Sequence, residues 1–414
     1  MKTKKKTIKL RIIDWWQDDN KANFDANPFI KLLRQKYEVV YSDAPDFILC
    51  GPFGNKHFDY DCVKIFYTGE NTRIDWNLYD YGIGFDYMDF GDKYLRMPLF
   101  YIYDCVNECR NLNKRDKFCS YLVRHSGAFL WEKSGGFRDR FFDKLSEYKC
   151  VDSGGGWRNN IGGTIDELYG KNTKNMFAVK RKWLENYKFN ICFENSSYPG
   201  YLTEKLIDAY NAGCIPIYWG DTSLRICENP PKTQTGGGNR YNPNDLDSID
   251  MRIPHISPYL LEYKINPKAF INAHNFPNLD ALVEEVKRID NDENAYNAMR
   301  NEPLFLDNFN PKAFYEKKVL DFFDNIFSQN PSEAFRRGDD NYMRESMRII
   351  KKERLHSNIL NELNQTTKQL NNLRNIVGKY EHLSKDALNI AEFCNHIQQS
   401  TRTIRNNLKF WRKK

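Results

Sequence analysis

No run in these 414 residues is long and apolar enough to approach a membrane span. The lysine-rich start, Met1 to Lys9, lacks the apolar stretch and small-residue cleavage site of a secretory leader. Metal-site spacing is missing too. Among 10 cysteines Cys105 and Cys109 are the one close pair, no Cys-x-x-Cys occurs, and no histidine follows at zinc-finger distance. The cysteines therefore read as reduced thiols, which fits a cytoplasmic chain. A net charge of +7 is modest and gathers at the chain ends, so the footprint of a nucleic-acid binder is lacking as well. Beyond Asn330 glycine nearly disappears, which separates a tail from the globular part.

The length suffices for two domains that each bury a full core. The densest chemistry lies in Tyr187 to Gly220, YKFNICFENSSYPGYLTEKLIDAYNAGCIPIYWG. Lys188 to Phe193 is a short apolar run suited to a buried parallel strand, and it ends in the polar Glu194, Asn195, Ser196 and Ser197. After the Pro199-Gly200 break, Thr203 is placed to cap a helix, Gly213 to stop it, and Ile215 to Trp219 to form the next strand. Strand, helix, strand in about thirty residues is the crossover unit of a doubly wound α/β domain, whose ligands bind beyond the carboxyl ends of the strands. Glu194, Asn195, Tyr201, Glu204 and Lys205 would lie on that rim. A helix start with Lys205 one turn in suits a phosphate or diphosphate, and Glu204 suits sugar hydroxyls. The same pair also reads as ordinary solvated first-turn residues.

Upstream, Thr7 to Ile13, Tyr37 to Val40, Phe47 to Cys50 and Val63 to Tyr67 read as strands, with a helix over Pro28 to Lys36. The fourth strand feeds Thr68-Gly69-Glu70-Asn71, which puts a carboxylate on a glycine turn at a strand's carboxyl end. Glu70 is the candidate base there, against the alternative of a turn carboxylate with local bonds. Trp15 and Trp16 are placed to line the acceptor side of a cleft, although paired tryptophans after a strand are more often core. Phe118 to Arg124 is a further strand, and Phe137 to Leu145 an amphipathic helix with Arg138 at its start. Gly154 to Gly156 reads as a flexible joint between domains.

FNICFENSSYPGYLTEKLIDAYNAGCIPIYWG at 189 to 220, Phe-Tyr-Thr-Gly-Glu-Asn at 66 to 71 and Asp-Ser-Gly-Gly-Gly at 152 to 156 resemble, in this order, the bacterial α-1,3-fucosyltransferases of glycosyltransferase family ten. The resemblance covers roughly residues 7 to 330 and implies two Rossmann-like α/β domains facing a cleft, the GT-B architecture, followed by a helical tail. It implies inverting transfer of L-fucose from GDP-β-L-fucose to an N-acetyllactosamine-type glycan, in α-1,3 linkage, giving Lewis-type structures on lipopolysaccharide. By the same resemblance Glu70 is the catalytic base, while Arg138, Asn195, Tyr201, Glu204 and Lys205 bind the donor, Arg138 and Lys205 at its diphosphate. No cofactor is required, a divalent cation being at most stimulatory. Two other classes fit the residues: a GT-B enzyme with another nucleotide sugar, and a non-enzymatic carbohydrate-binding or membrane-associated scaffold. Arg124-His125-Ser126 stands where many members carry a Ser/Asn-rich turn, a departure that puts the donor contacts there in doubt.

The expected domains are 1–157 on the acceptor side, 158–330 on the donor side, and a tail over 331–414. A Pro-, Gly- and Asn-rich insertion near 225–262 contains Asp245-Leu246-Asp247, which resembles the metal site of another glycosyltransferase architecture. No strand precedes it to place a nucleotide, which argues against that use. Leu279 to Ile289 and Pro311 to Phe327 read as helices closing the second domain. In the tail, Leu363, Leu370, Leu373, Val377 and Tyr380 give a heptad-like seam, suited to a homodimer or to docking on the chain itself. Its last segment, 393–414, mixes arginine and lysine with Ile404, Leu408, Phe410 and Trp411, as a helix on an anionic membrane surface would. The expected location is the cytoplasm, with peripheral contact at the inner face of the cytoplasmic membrane.

Overall fold

The computed structural model describes residues 4–99, 112–124, 136–170, 176–224, 265–337, 341–378, 390 and 392–402. Residues His125 and Ser126, the insertion near 225–262 with Asp245 and Asp247, and the end of the basic tail lie outside the described residues. The chain divides into two compact units, Met1–Arg337 and Gly338–Lys414.

The first unit holds two parallel sheets. Strands β1 (Thr7–Ile13), β2 (Glu38–Tyr41), β3 (Phe47–Cys50), β4 (Val63–Tyr67), β5 (Tyr81–Gly84) and β6 (Tyr94–Arg96) form one, in the order β2-β1-β3-β4-β5-β6. Strands β7 (Lys117–Tyr121), β8 (Val151–Ser153), β9 (Tyr187–Phe193), β10 (Ile215–Trp219) and β11 (Ile271–Asn272) form the other, in the order β11-β10-β9-β7-β8. Strands β3, β4, β9 and β10 are buried on both faces almost throughout, as expected of a sheet covered on both sides. Helices α1 (Lys21–Ala26), α2 (Pro28–Leu33), α3 (Phe137–Tyr148), α4 (Ile165–Tyr169), α5 (Met176–Leu184), α6 (Glu204–Asn211), α7 (Leu279–Asn291), α8 (Glu293–Asn301), α9 (Pro311–Ser328) and α10 (Pro331–Ala334) complete the unit.

Three expectations are corrected here. The sheets part between Arg96 and Lys117, so β7, α3 and β8, read as part of a domain ending at 157, belong to the second sheet. Gly154 to Gly156 is not a joint but a close approach. Gly154 N–H donates to Tyr121 O, and a Cβ on Gly155 would sit 2.1 Å from Val123 O. Helix α9, expected to close the second domain, instead packs on the first sheet. Phe323 and Phe327 meet Phe29 and Phe47, and Tyr37 donates a hydrogen bond to Asp324. Burying these rings against α2 and β3 outweighs the sequence proximity of α9 to the second sheet.

A single apolar cluster runs from the first sheet through α9 to α6 and β10, while a second fills the space between the other sheet, α3 and α7. The second sheet reverses its order between β7 and β9, the switch point where a doubly wound sheet opens a crevice. α3 and α6 both start at that edge.

In the second unit the long helix α11 (Asn341–Gly378) is accompanied by a helix over 392–402. Leu363 and Thr367 of the former line a cleft with Gln398 and Thr401 of the latter, and Cys394 is buried. Part of the heptad-like seam is thus covered by the chain's own helix. No helix of the described residues is long and apolar enough to cross a membrane.

Candidate active site

The carboxyl ends of the two sheets meet. Leaving β4, Thr68 closes a short turn: its Oγ1 accepts from Glu70 N–H at 2.9 Å, and it lies 2.7 Å from the Thr72 hydroxyl. Leaving β9, the chain presents Asn195 and Ser196. Asn195 Nδ2 donates to Glu70 Oε2 at 3.3 Å, and Asn71 Nδ2 donates to Ser196 Oγ at 2.7 Å. The candidate base is therefore held half-buried against the second sheet by a residue from the sequence's densest stretch.

On the other side of this junction lies a ladder of alternating charge at the start of α6. Lys205 Nζ donates to Glu194 Oε2 at 2.8 Å and to Thr203 Oγ1 at 2.9 Å, and stands 3.7 Å from Glu204 Oε1. Lys180, from α5, pairs with Asp208 and lies 3.9 Å from the same Glu204 oxygen. An ammonium has three N–H donors, so two bonds leave Lys205 one for an oxygen in the cleft. Thr203 precedes α6 as expected, but its hydroxyl does not cap the helix. The buried Glu194 carboxylate instead accepts both the Thr203 N–H and its hydroxyl, anchoring the helix start from the strand.

Burial pushes the Glu194 carboxyl up, against the pull of Lys205. Burial also raises Glu204, but Lys205 and Lys180 outweigh it and bring that carboxyl down to about 2. For Lys205, burial works to lower the ammonium and the facing Glu194 and Glu204 carboxylates reverse this, so it stays protonated. The site thus holds one firmly ionised carboxylate, Glu204, next to one firmly charged ammonium.

Arg138 is buried in the first turn of α3, which opens on a left-handed Gly136. Phe137 beside it stacks on Phe193, the last residue of β9, at 5.5 Å and 16°. That contact places the start of α3, with Arg138 in its first turn, next to the start of the Glu194 loop.

The expected site residues divide as follows. Glu70 and Asn195 touch, and Glu204 and Lys205 form one cluster with Glu194. Tyr201 departs from expectation. It is 1% exposed in the core, its ring 5.1 Å from Phe85, because the loop must seal the gap between β5 and α6. It supports the loop from beneath rather than facing the cleft. Glu194, expected on the rim, is 0% exposed and acts as the anchor of Lys205. Sequence reasoning did not single out Lys180. Its spacing from Asp208 carries no local signal, since the two sit on different helices. Among the described residues no group of three or more His, Cys, Asp or Glu side chains is arranged to hold a metal ion.

Comparison with known proteins gives consistent matches. Residues 10–103 match the model of the Alpha-(1,3)-fucosyltransferase FucT N-terminal domain, and residues 112–232 that of Glycosyltransferase family 10 (fucosyltransferase) C-term. The gap between the matches falls where the two sheets part. The chain is 31% identical over 374 residues to Alpha-(1,3)-fucosyltransferase FucT of Helicobacter pylori, covering 78% of this chain and 68% of that one. It is 27% identical over 312 residues to Putative fucosyltransferase R654 of Acanthamoeba polyphaga mimivirus, covering 68% of this chain and 43% of that one. Among solved structures it is similar to an alpha1,3-fucosyltransferase with GDP, at TM-score 0.57 and 28% identity, covering 80% of this chain and 93% of that one. The corresponding structure with GDP-fucose gives TM-score 0.55 at 28% identity, with the same 80% and 93% covered.

Proposed function

The chain belongs to glycosyltransferase family 10 and is a GDP-fucose-dependent fucosyltransferase, and from that premise we propose how its residues divide the work and what they act on. L-Fucose passes with inversion from GDP-β-L-fucose to the 3-hydroxyl of an N-acetylglucosamine unit in an N-acetyllactosamine-type glycan, building Lewis-type structures on lipopolysaccharide. The observation that carries the division of roles is the contact between Glu70, ending a strand of the first sheet, and Asn195, ending one of the second. It brings a carboxylate carried beyond one sheet against the loop that leaves the other.

In this reading the acceptor oxygen attacks the anomeric carbon of fucose from the face opposite the diphosphate. The Glu70 carboxylate takes the hydroxyl proton as the bond to oxygen forms. The bond from the anomeric carbon to the β-phosphate oxygen breaks, and Lys205 and Arg138 receive the charge that GDP carries away. A guanidinium is well shaped for bidentate contact with phosphate oxygens. Asn195 and Glu204 orient the sugar and nucleotide hydroxyls. Nothing in these steps calls for a metal ion.

The test is a comparison of two variants. Glu70→Ala and Lys205→Ala each lower acceptor-dependent GDP release by at least about 10²-fold. In calorimetry Lys205→Ala weakens GDP-fucose binding strongly, whereas Glu70→Ala keeps it within about twofold of wild type. Equal loss of donor affinity in both variants would overturn the division of roles. At the other end of the chain, the basic segment holds the enzyme at the inner face of the cytoplasmic membrane, near its lipid-linked acceptor, and the part of the α11 seam left uncovered joins two copies.

A further inference from the structure

The mechanism leaves one built feature of the first sheet unused. Strand β1 is followed by Asp14, held in the left-handed region at φ 53° and buried. Its carboxylate accepts the N–H groups of Lys56 and His57 at 3.0 Å each and lies 2.7 Å from His57 Nδ1. Its carbonyl accepts from Phe53 N–H at 3.0 Å. Gly51 and Gly54 press so close that a Cβ there would lie 2.4 Å from Asp14 O and 2.3 Å from Asp14 Oδ1. Segments 14–16 and 51–57 are thereby stitched into one rigid support.

That support carries a line of aromatic rings from the core to the surface. Buried Tyr67 stacks on Trp15 at 5.2 Å, Trp15 meets Trp16 edge to face at 5.0 Å, and Trp16 meets Phe53 at 5.0 Å. The last two rings are left in solvent, Trp16 at 38% exposure and Phe53 at 50%. Single exposed apolar residues need no explanation, whereas here two large rings adjoin on a pinned backbone. The patch also has a location. A Cβ on Gly69 would fall 2.7 Å from Trp16 Cζ2, so the indole lies directly over the glycine that precedes Glu70.

We propose that Trp16 and Phe53 form a stacking platform for a hexose ring of the acceptor glycan, which holds that sugar next to Glu70. The inference rests on the transfer reading above and names the acceptor side of the same site. A pyranose has an apolar face of C–H groups, and an aromatic face carries the negative end of a quadrupole, so the two stack while the sugar's hydroxyls stay at the edge. Exposed Gln17 and Asp18 follow Trp16 in the chain and bring an amide and a carboxylate to the same loop. A support that is rigid before the sugar arrives spares the ordering cost of binding. Gly69 has the space role: any side chain there would displace the indole.

The experiment uses the full chain with GDP-fucose and N-acetyllactosamine. Trp16→Ala and Phe53→Ala each raise the acceptor KM about tenfold, while GDP affinity by calorimetry stays within about twofold, and Trp16→Phe recovers most of the acceptor affinity. Phe53 is half in solvent, so its variant folds even if Trp16→Ala does not. Unchanged acceptor KM in Phe53→Ala, or GDP affinity falling in step with it, overturns the platform. Saturation-transfer NMR with N-acetyllactosamine and GDP separates this from the transfer reading, since it needs no turnover. Transfer from the aromatic envelope in wild type, lost in Phe53→Ala, supports the platform even if no fucose moves. No transfer in a wild type that turns over would sink it.

Discussion

At the scale of residues, the donor side is governed by how its charges are shared. Glu194, Lys205, Glu204, Lys180 and Asp208 alternate in sign along one ladder, so each cation serves two carboxylates. Lys180 touches no expected ligand, and its effect should travel through Glu204. With both lysines present, Glu204 is brought from an ordinary 4.5 to about 2, below its unfolded value. The stabilisation its charge brings is therefore complete above about pH 4.5 and fades only as pH falls toward 2. In Lys180→Met one cation is lost while burial, which favours the neutral acid, remains, so that fading moves upward. The expected outcome is a KM for GDP-fucose whose climb on the acid side begins at a higher pH in Lys180→Met than in wild type, with Lys180→Arg matching wild type. A variant whose KM shifts equally at every pH would show that Lys180 acts on packing alone.

At the scale of elements, the sequence was most legible where one segment decides its own structure. β1, β3, β4, β9 and β10 follow from short apolar runs, and α3, α6, α7 and α9 from amphipathic spacing. β5 went unread because two of its four residues are glycine, one of which packs where a Cβ would lie 2.3 Å from Ile74 Cδ1. β8 was hidden by the glycines that follow it. A glycine triplet looks the same whether it supplies freedom or closeness, and only the neighbouring strand decides. Here Val123 and Arg124 carbonyls approach Gly155 and Gly156, and the Trp183 ring approaches Gly154. Gly155→Ala should accordingly cost about 1–3 kcal/mol, as overpacking does, seen as a lower urea midpoint with an unchanged slope. A flexible joint would instead be stabilised or unaffected by the loss of unfolded-state freedom.

At the scale of the whole molecule, a catalytic unit and a helical unit are joined in one chain. Within the helical unit, residues 392–402 cover part of α11, and a hydrogen bond from Arg374 to Gln398 Oε1 at 3.1 Å adds to that packing. A deletion that begins at 393 would strip this cover as well as the basic end. Removing only 403–414 is the cleaner test of membrane attachment. It should move the enzyme from the membrane fraction to the soluble one without changing turnover of a water-soluble acceptor. An unchanged distribution would end the idea that this segment is the anchor, since polybasic attraction is worth about 1 kcal/mol per cation near an anionic surface.

What the sequence by itself determined were the local units: apolar runs that must be buried, the helix start at Thr203, and the turn that exposes Glu70. Its resemblance to a known family supplied the roles. Tertiary structure decided which of these units meet. The bond from Asn195 to Glu70 spans 125 positions, Tyr201 turns inward because β5 needs a cover, and α9 returns to the first sheet. Such pairings depend on where the ends of two sheets come to rest. Local propensity is set within a few residues, so it carries no record of that meeting.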